Sequence, residues 1–342
     1  MQFGMFTEFN IRHGGTESEA FDHAFELVDA AEQFGLDAVW LAEHHFSPER
    51  SVLASPIVIA SAIAARTQRL RIGLAVQVLP LTNPLRVAEE AATVDHISKG
   101  RFDFGIGRSG LTRYYQGYNI PYEESRSRFA ESLEIITKAW TQTCFSHRGD
   151  YFSFENVTVV PKPYQQPYPP MHVAVSSPET FETMGRLGHS VFLNANTPVP
   201  TLQERLALYH QAWKAAGHHG TPDIGLRIPA YVAETAERAR SEPEASTMHA
   251  IQYGAQTLSA SAATPEAAAR MMQMASVPYD EVLKRRVIYG TPEAIVERCQ
   301  ALHEDLGVTC MVLEMNYGGQ LPMERVVHSI RLLTDKVMPA FK

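Results

Sequence analysis

Cysteine is scarce in this chain: Cys144, Cys299 and Cys310 are odd in number and lack metal-ligand spacing. That excludes a disulfide-stapled scaffold and fits free thiols in a reducing compartment, so the cytoplasm is the expected location. A basic excess is also missing. Across 342 residues, 30 Lys and Arg stand against 38 Asp and Glu without a basic block, so nucleic acid is not an expected partner. Long apolar runs are absent too. The longest, Ile57 to Ala65, falls far short of the ~20 residues that span a bilayer. The opening Met1-Gln2-Phe3-Gly4-Met5-Phe6 carries no basic leader, which adds to the expectation of a soluble, unexported protein without membrane contact.

What is present is a regular alternation of strand-like and helix-like segments. Strands are predicted at Gln2 to Phe6, Asp37 to Leu41, Leu70 to Leu79, Arg101 to Ile106, Met171 to Ser176, Ser190 to Leu193, Gly225 to Ala233 and Thr309 to Glu314. Ser55-Pro56, Asn83-Pro84, Ser177-Pro178 and Thr291-Pro292 each place a capping residue before a proline suited to the first helical position. This predicts an α/β fold, a (β/α)8 TIM barrel in one domain over residues 1–342. Two insertions interrupt the repeat. Phe145 to Pro170 reads as a ribbon before the fifth strand, and Met248 to Ile288, after the seventh, reads as a lid or helical decoration.

Active sites of such barrels lie where the strands end. Collected there are Phe6 and Glu8; Glu43, His44 and His45; Gly105-Ile106-Gly107-Arg108-Ser109-Gly110; Ser176-Ser177; Asn194; Tyr231; and Glu314 with Asn316. The Gly-rich loop with Arg108 is a candidate anion site, since glycines allow close backbone approach and a guanidinium offers a forked donor. Its Gly-x-Gly-x-x-Gly spacing is weak evidence, and no long helix follows to make a dinucleotide fold. Ser176-Ser177-Pro178-Glu179 is a second anion candidate at a helix start, where free N–H groups face outward, although the same residues also make an ordinary cap. Histidine titrates near neutrality, so a pair at a strand end suggests proton chemistry. Adjacent strand residues point to opposite faces, so one ring is expected at the mouth and the other packed behind it. His-x-His spacing is absent and no metal is expected.

From end to end the chain resembles the bacterial luciferase-like flavin-dependent monooxygenases. The matching segments are Val39-Trp40-Leu41-Ala42-Glu43-His44-His45-Phe46, Val78-Leu79-Pro80 through Asn83-Pro84-Leu85-Arg86-Val87-Ala88-Glu89, Ser98 through Arg108, Gly290-Thr291-Pro292-Glu293 and Val337-Met338-Pro339. The resemblance implies a barrel that holds reduced FMN, supplied by a separate flavin reductase, and that uses O2 through a flavin hydroperoxide to oxidise an organic substrate. It places His44 on the catalytic histidine and His45 on its required neighbour. Ala75-Val76 falls on a non-prolyl cis peptide beside the flavin, Arg108, Ser176 and Ser177 on the phosphate site, and Leu193 with Asn194 alongside the ring.

Two departures argue against light emission. Gly107 stands where luciferase has a cysteine, and Ser176 where it has a carboxylate. With Phe6, Glu43, Leu111 and a Met-bearing insert expected at the pocket, the substrate expected is a small, uncharged, apolar molecule. Rival readings are a deazaflavin-dependent oxidoreductase, a non-catalytic partner subunit and a metal-dependent hydrolase. The run Ile57 to Ala65 is apolar nearly all round, which predicts a two-fold homodimer through that helix.

Overall fold

The computed structural model describes residues 1–260, 266, 269 and 272–342. Its strands in chain order are β1 (Gln2–Thr7), β2 (Ala38–Leu41), β3 (Arg71–Leu74), β4 (Gln77–Val78), β5 (Phe102–Gly107), β6 (Phe145–Arg148), β7 (Ser153–Val157), β8 (Met171–Ala174), β9 (Ser190–Asn194), β10 (Ile224–Val232), β11 (Ile288–Gly290) and β12 (Cys310–Glu314). Parallel pairing runs β1-β2-β3-β5-β8-β9-β10-β12 and closes on β1, giving the expected eight-stranded barrel. The inserted ribbon before the fifth barrel strand is the antiparallel pair β6-β7, and β11 adds to the far end of β10.

Strand alternation sorts the apolar residues into two layers. One lies between strands and helices. The other fills the barrel and comprises Phe6, Ala38, Trp40, Ala42, Phe192, Cys310 and Val312. Trp40 is the largest of these, and its neighbours make way for it: a Cβ on Gly73 would come within 2.0 Å of its ring and one on Gly4 within 2.5 Å. Burying that ring contributes on the order of 4 kcal/mol. At the amino ends of the strands Arg71 and Asp103 form a two-bond ion pair at 2.8 and 2.7 Å. Chemistry is left to the opposite rim.

The first nine helices are α1 (Glu17–Phe34), α2 (Pro56–Arg66), α3 (Pro84–Ser98), α4 (Thr112–Gly117), α5 (Ser125–Thr141), α6 (Pro178–Leu187), α7 (Val199–Ala215), α8 (Ala236–Ser241) and α9 (Glu244–Ala260). The helices α2, α3, α6 and Pro292–Leu306 begin at the four prolines, but only one of the four expected caps forms: Asn83 accepts from the Leu85 N–H. Ser55, Ser177 and Thr291 make no side-chain cap bond. The strand expected over Leu70 to Leu79 is also corrected. It breaks into β3 and β4 at a cis Ala75–Val76 peptide, because the chain leaves the β2 edge after the Ala75 N–H bonds Leu41 and then pairs with β5.

Helix α2 buries Ile57, Ala60, Ile63 and Ala64, while Val58 is 63% exposed. Of the second insertion, α9, Met274–Ser276 and the helix Tyr279–Arg285 are described; the part of the expected lid at 261–265, 267, 268, 270 and 271 lies outside the described residues. Met248 packs against the small cluster of Ile251, Tyr279, Val282 and Val287. Among the described residues no helix is long and apolar enough to cross a membrane.

Candidate active site

The carboxyl ends of β3, β5, β8 and β9 surround a cavity of about 1150 Å³. Its wall contains Ala75, Val76, Arg108, Ser176, Ser177, Leu193 and Asn194, so one space collects segments far apart in the chain. Small residues make that space. A Cβ on Gly105 would meet the Leu74 carbonyl oxygen at 1.6 Å, so only glycine lets β5 approach the end of β3. Gly107 lies directly behind Val76, whose side chain a Cβ there would meet at 2.5 Å.

The polar end lies between α5 and α6. Arg108 is held there: its Nη1 donates to Ser125 Oγ at 2.8 Å, its guanidinium lies 5.4 Å from the Tyr122 ring centroid, and its carbonyl accepts the Tyr115 hydroxyl. Ser177 makes no side-chain cap bond: its carbonyl accepts the Thr180 and Phe181 N–H groups, and its hydroxyl pairs with that of Thr180 at 3.0 Å, so two hydroxyls border the cavity at the start of α6. Arg126 and Thr180 face the same end. Sequence reasoning missed both. Thr180 lies three residues past Ser177 and could have been found from helix geometry; Arg126 has no local signal.

The two histidines take different partners, and neither ring lines the two cavities. His45 Nε2 lies 2.8 Å from Glu43 Oε1 and its Nδ1 lies 3.1 Å from the Tyr118 hydroxyl. Glu43 also accepts the Val78 N–H at 2.8 Å, and burial pushes its carboxyl above the ordinary carboxylate value. Glu43 and His45 therefore tie the end of β2 to β4, and Glu43 stands behind the cavity wall.

His44 Nε2 lies 3.0 Å from Glu8 Oε1, and Nδ1 lies 2.8 Å from the Tyr114 hydroxyl. Burial holds the imidazole below its ordinary value, against the pull of Glu8. Burial would push Glu8 up, but Arg50 beside it and the bond from His44 hold it well below the usual carboxylate range. These charge states assign the protons: the neutral ring donates Nε2–H to Glu8, and Nδ1 accepts from Tyr114.

Around Glu8 lies a buried charged cluster that sequence reasoning did not assemble. Arg50 grips Glu8 through Nε at 2.7 Å and through Nη2. Arg227 Nη2 lies 2.5 Å from Glu314 Oε2 and 3.4 Å from Glu8 Oε1. Burial pushes the Glu314 carboxyl up to about 7, with Arg227 opposing. Arg227 did carry a sequence signal, being the charged residue within the otherwise apolar strand Ile224 to Ile228. Arg50 sits in a loop and carried none.

Above this cluster is a second pocket of about 220 Å³, walled by Asn10, Leu111, Asn194, Asn196 and, from α9, His249 and Tyr253. Leu111 lines this pocket. Phe6 does not: it lies beneath Arg227, whose guanidinium carbon is 4.0 Å from the ring centroid. Among the described residues no cluster of His, Cys, Asp and Glu could hold a metal ion.

The closed parallel barrel, with a large cavity at its strand ends and a buried histidine network beside it, is the architecture of a class of oxidoreductases. The chain belongs to the luciferase-like monooxygenase family, whose profile matches residues 1–310, and is a flavin-dependent monooxygenase. It is similar to the oxygenase component of the flavin-dependent trigonelline monooxygenase of Acinetobacter baylyi, 26% identical over 100% of this chain and 96% of that protein. Limonene 1,2-monooxygenase of Rhodococcus erythropolis is 28% identical over 100% and 87%. An uncharacterized protein of Sinorhizobium fredii is 36% identical, but over 53% of this chain and 52% of its own length. Among solved structures, monooxygenase RslO1 of Streptomyces bottropensis superposes with a TM-score of 0.85 at 28% identity, with 100% of both chains covered.

Proposed function

We propose that the chain, as a single unit over residues 1–342, is the oxygenase component of a two-component system. It takes reduced FMN from a separate flavin reductase and uses O2 to oxidise a small organic substrate in the cytoplasm. The observation that carries this reading is the large cavity that joins the Ala75 and Val76 wall to a polar end at Arg108, Arg126, Ser176 and Ser177. A similar protein is named as an oxygenase component, which supports the two-component form. The free thiols Cys299 and Cys310 support the reducing location.

The residues present fit FMN. Arg108, Arg126, Ser177 and Thr180 would hold the phosphate, while Ala75, Val76 and Leu193 would border the ring system. When bound, the flavin supplies the oxygen-activating chemistry. The chain excludes water with the apolar inner walls, Val173, Leu193 and Val312. His44 takes and returns a proton at Nδ1 by way of the Tyr114 hydroxyl, which passes its own proton to Nδ1 and takes another in its place, while Glu8 orients the ring through Nε2. An apolar substrate body suits those inner walls, but the charged mouth does not suit an entirely apolar molecule.

Titration of FMN and riboflavin against Arg108→Ala tests the cofactor assignment. A charge-assisted hydrogen bond contributes roughly 1.5 to 3 kcal/mol, so FMN affinity should fall roughly 10- to 150-fold. Riboflavin, without the phosphate, should change little. Equal losses for both flavins would show Arg108 to be structural. Tight binding of a deazaflavin with none of FMN would move the chain to the hydride-transfer reading. We further propose a two-fold homodimer through the exposed face of α2, where Val58 stands out. Light scattering at micromolar concentration checks it, and an active monomer would refute it.

A further inference from the structure

Arg227 has more binding capacity than its protein partners use. It borders both the flavin-sized cavity and the mouth pocket, and so stands at their junction. From β10 it points into the barrel, in register with Val312 on one side and Asn194 on the other. Both of its carboxylate contacts run through Nη2, and Nε is buried without a hydrogen-bond partner. A guanidinium presents five N–H donors in a rigid fork, and a donor left unpaired away from water is costly. Phe6 beneath the plane holds that fork in place.

Its countercharge is incomplete. Glu8 is gripped through both Nε and Nη2 of Arg50, so Arg227 has only a share of it at 3.4 Å, and burial pushes the Glu314 carboxyl up. The side chain is 27% exposed, so the guanidinium reaches the open space. Asn194 and Asn196 stand on the same wall and can donate to a second oxygen.

We propose that Arg227 anchors a carboxylate on the substrate, so that the substrate class is a small organic acid. Its acid group lies in the mouth pocket and its apolar body extends past Val312 and Leu193 toward the cofactor. The acid end meets the fork in a pocket that Arg50, Glu8, Glu49 and Glu314 also border, and the body meets the apolar walls of the larger cavity. This rests on the reading of the large cavity as the flavin site.

The test uses benzoate, methyl benzoate and benzamide as probes, with binding measured by calorimetry on the full chain with and without FMN. Benzoate should bind at least ten-fold more tightly than the ester or the amide. Arg227→Gln should bring all three within two-fold of one another. Arg227→Lys, which keeps the charge but not the fork, should cut the preference at least three-fold, and it decides the question if the glutamine variant fails to fold. Arg108→Ala should leave the preference intact. The proposal is overturned if native protein binds acid and ester alike or binds no probe. A preference that survives both Arg227 variants, or disappears in Arg108→Ala, also overturns it. An FMN titration run in parallel separates the two readings: absence of FMN binding defeats the flavin assignment, while the probes still report on Arg227 in the cofactor-free protein.

Discussion

The two halves of the barrel mouth are built by opposite means. On the side of β3, β5, β8 and β9 the site is made from backbone and small residues: Gly105, Gly107, Ala75 and the hydroxyl pair of Ser177 and Thr180 at the start of α6. On the side of β1, β10 and β12 it is made from buried charges: Glu8, Arg50, Arg227 and Glu314, with His44 attached. A large planar cofactor needs room and peptide groups, which small residues provide. Proton control and recognition of a polar group need charges held out of water, where each interaction is stronger. The difference teaches that equivalent positions at successive strand ends can be built by unrelated physics.

The sharpest way to break the contrast is Glu8→Ala. Removing one member of a buried ionic cluster leaves Arg50 uncompensated and should cost about 3–5 kcal/mol of stability. Urea unfolding measures it. A loss below about 1 kcal/mol would mean that the charged half is solvated and ordinary.

His44→Asn should follow in size. Product should fall by ~10² or more, the range for a lost general acid or base, while FMN affinity stays near that of the native chain. Oxygen should still be consumed and appear largely as hydrogen peroxide. An unchanged product yield would remove His44 from proton control and leave His45 to be tested in its place.

The smallest effect concerns pH. A carboxyl raised from 4.5 to about 7 holds its proton more tightly folded than unfolded. Glu314 therefore contributes stability that is fully present below about pH 4.5 and lost as pH rises through about 7. Glu8, held low, has the opposite sign: its contribution is present above the ordinary carboxylate value and lost as pH falls. Glu314→Gln should reduce the stability difference between pH 5 and pH 8 by on the order of 2 kcal/mol. Parallel unfolding curves at the two pH values check this, and an unaltered slope would show that Glu314 is solvated.

The glycine-built half was readable from sequence to a large extent. Gly105-Ile106-Gly107-Arg108, Ser176-Ser177 and Leu193-Asn194 are contiguous segments at strand ends, and the cavity contains most of them. Arg126 escaped because it reaches the cavity from α5, after the loop that follows β5. The charged half was barely readable. Glu8 and Glu314 were visible as polar strand ends, but their arginines come from a loop at residue 50 and a strand at residue 227.

By itself the sequence determined the layout. Period-two strands alternate with proline-started helices, because local sterics and burial of one face act over a few residues. It also determined where along the chain the Gly-rich loop with Arg108 and the histidine pair fall. Only tertiary structure decided that His44 joins Glu8 and Tyr114 while His45 turns to Glu43 and Tyr118. It likewise decided that Phe6 lies beneath Arg227 and that one carboxylate serves two arginines. Those outcomes depend on barrel closure, which brings β1, β10 and β12 side by side and sets buried charges by distances that no local pattern encodes.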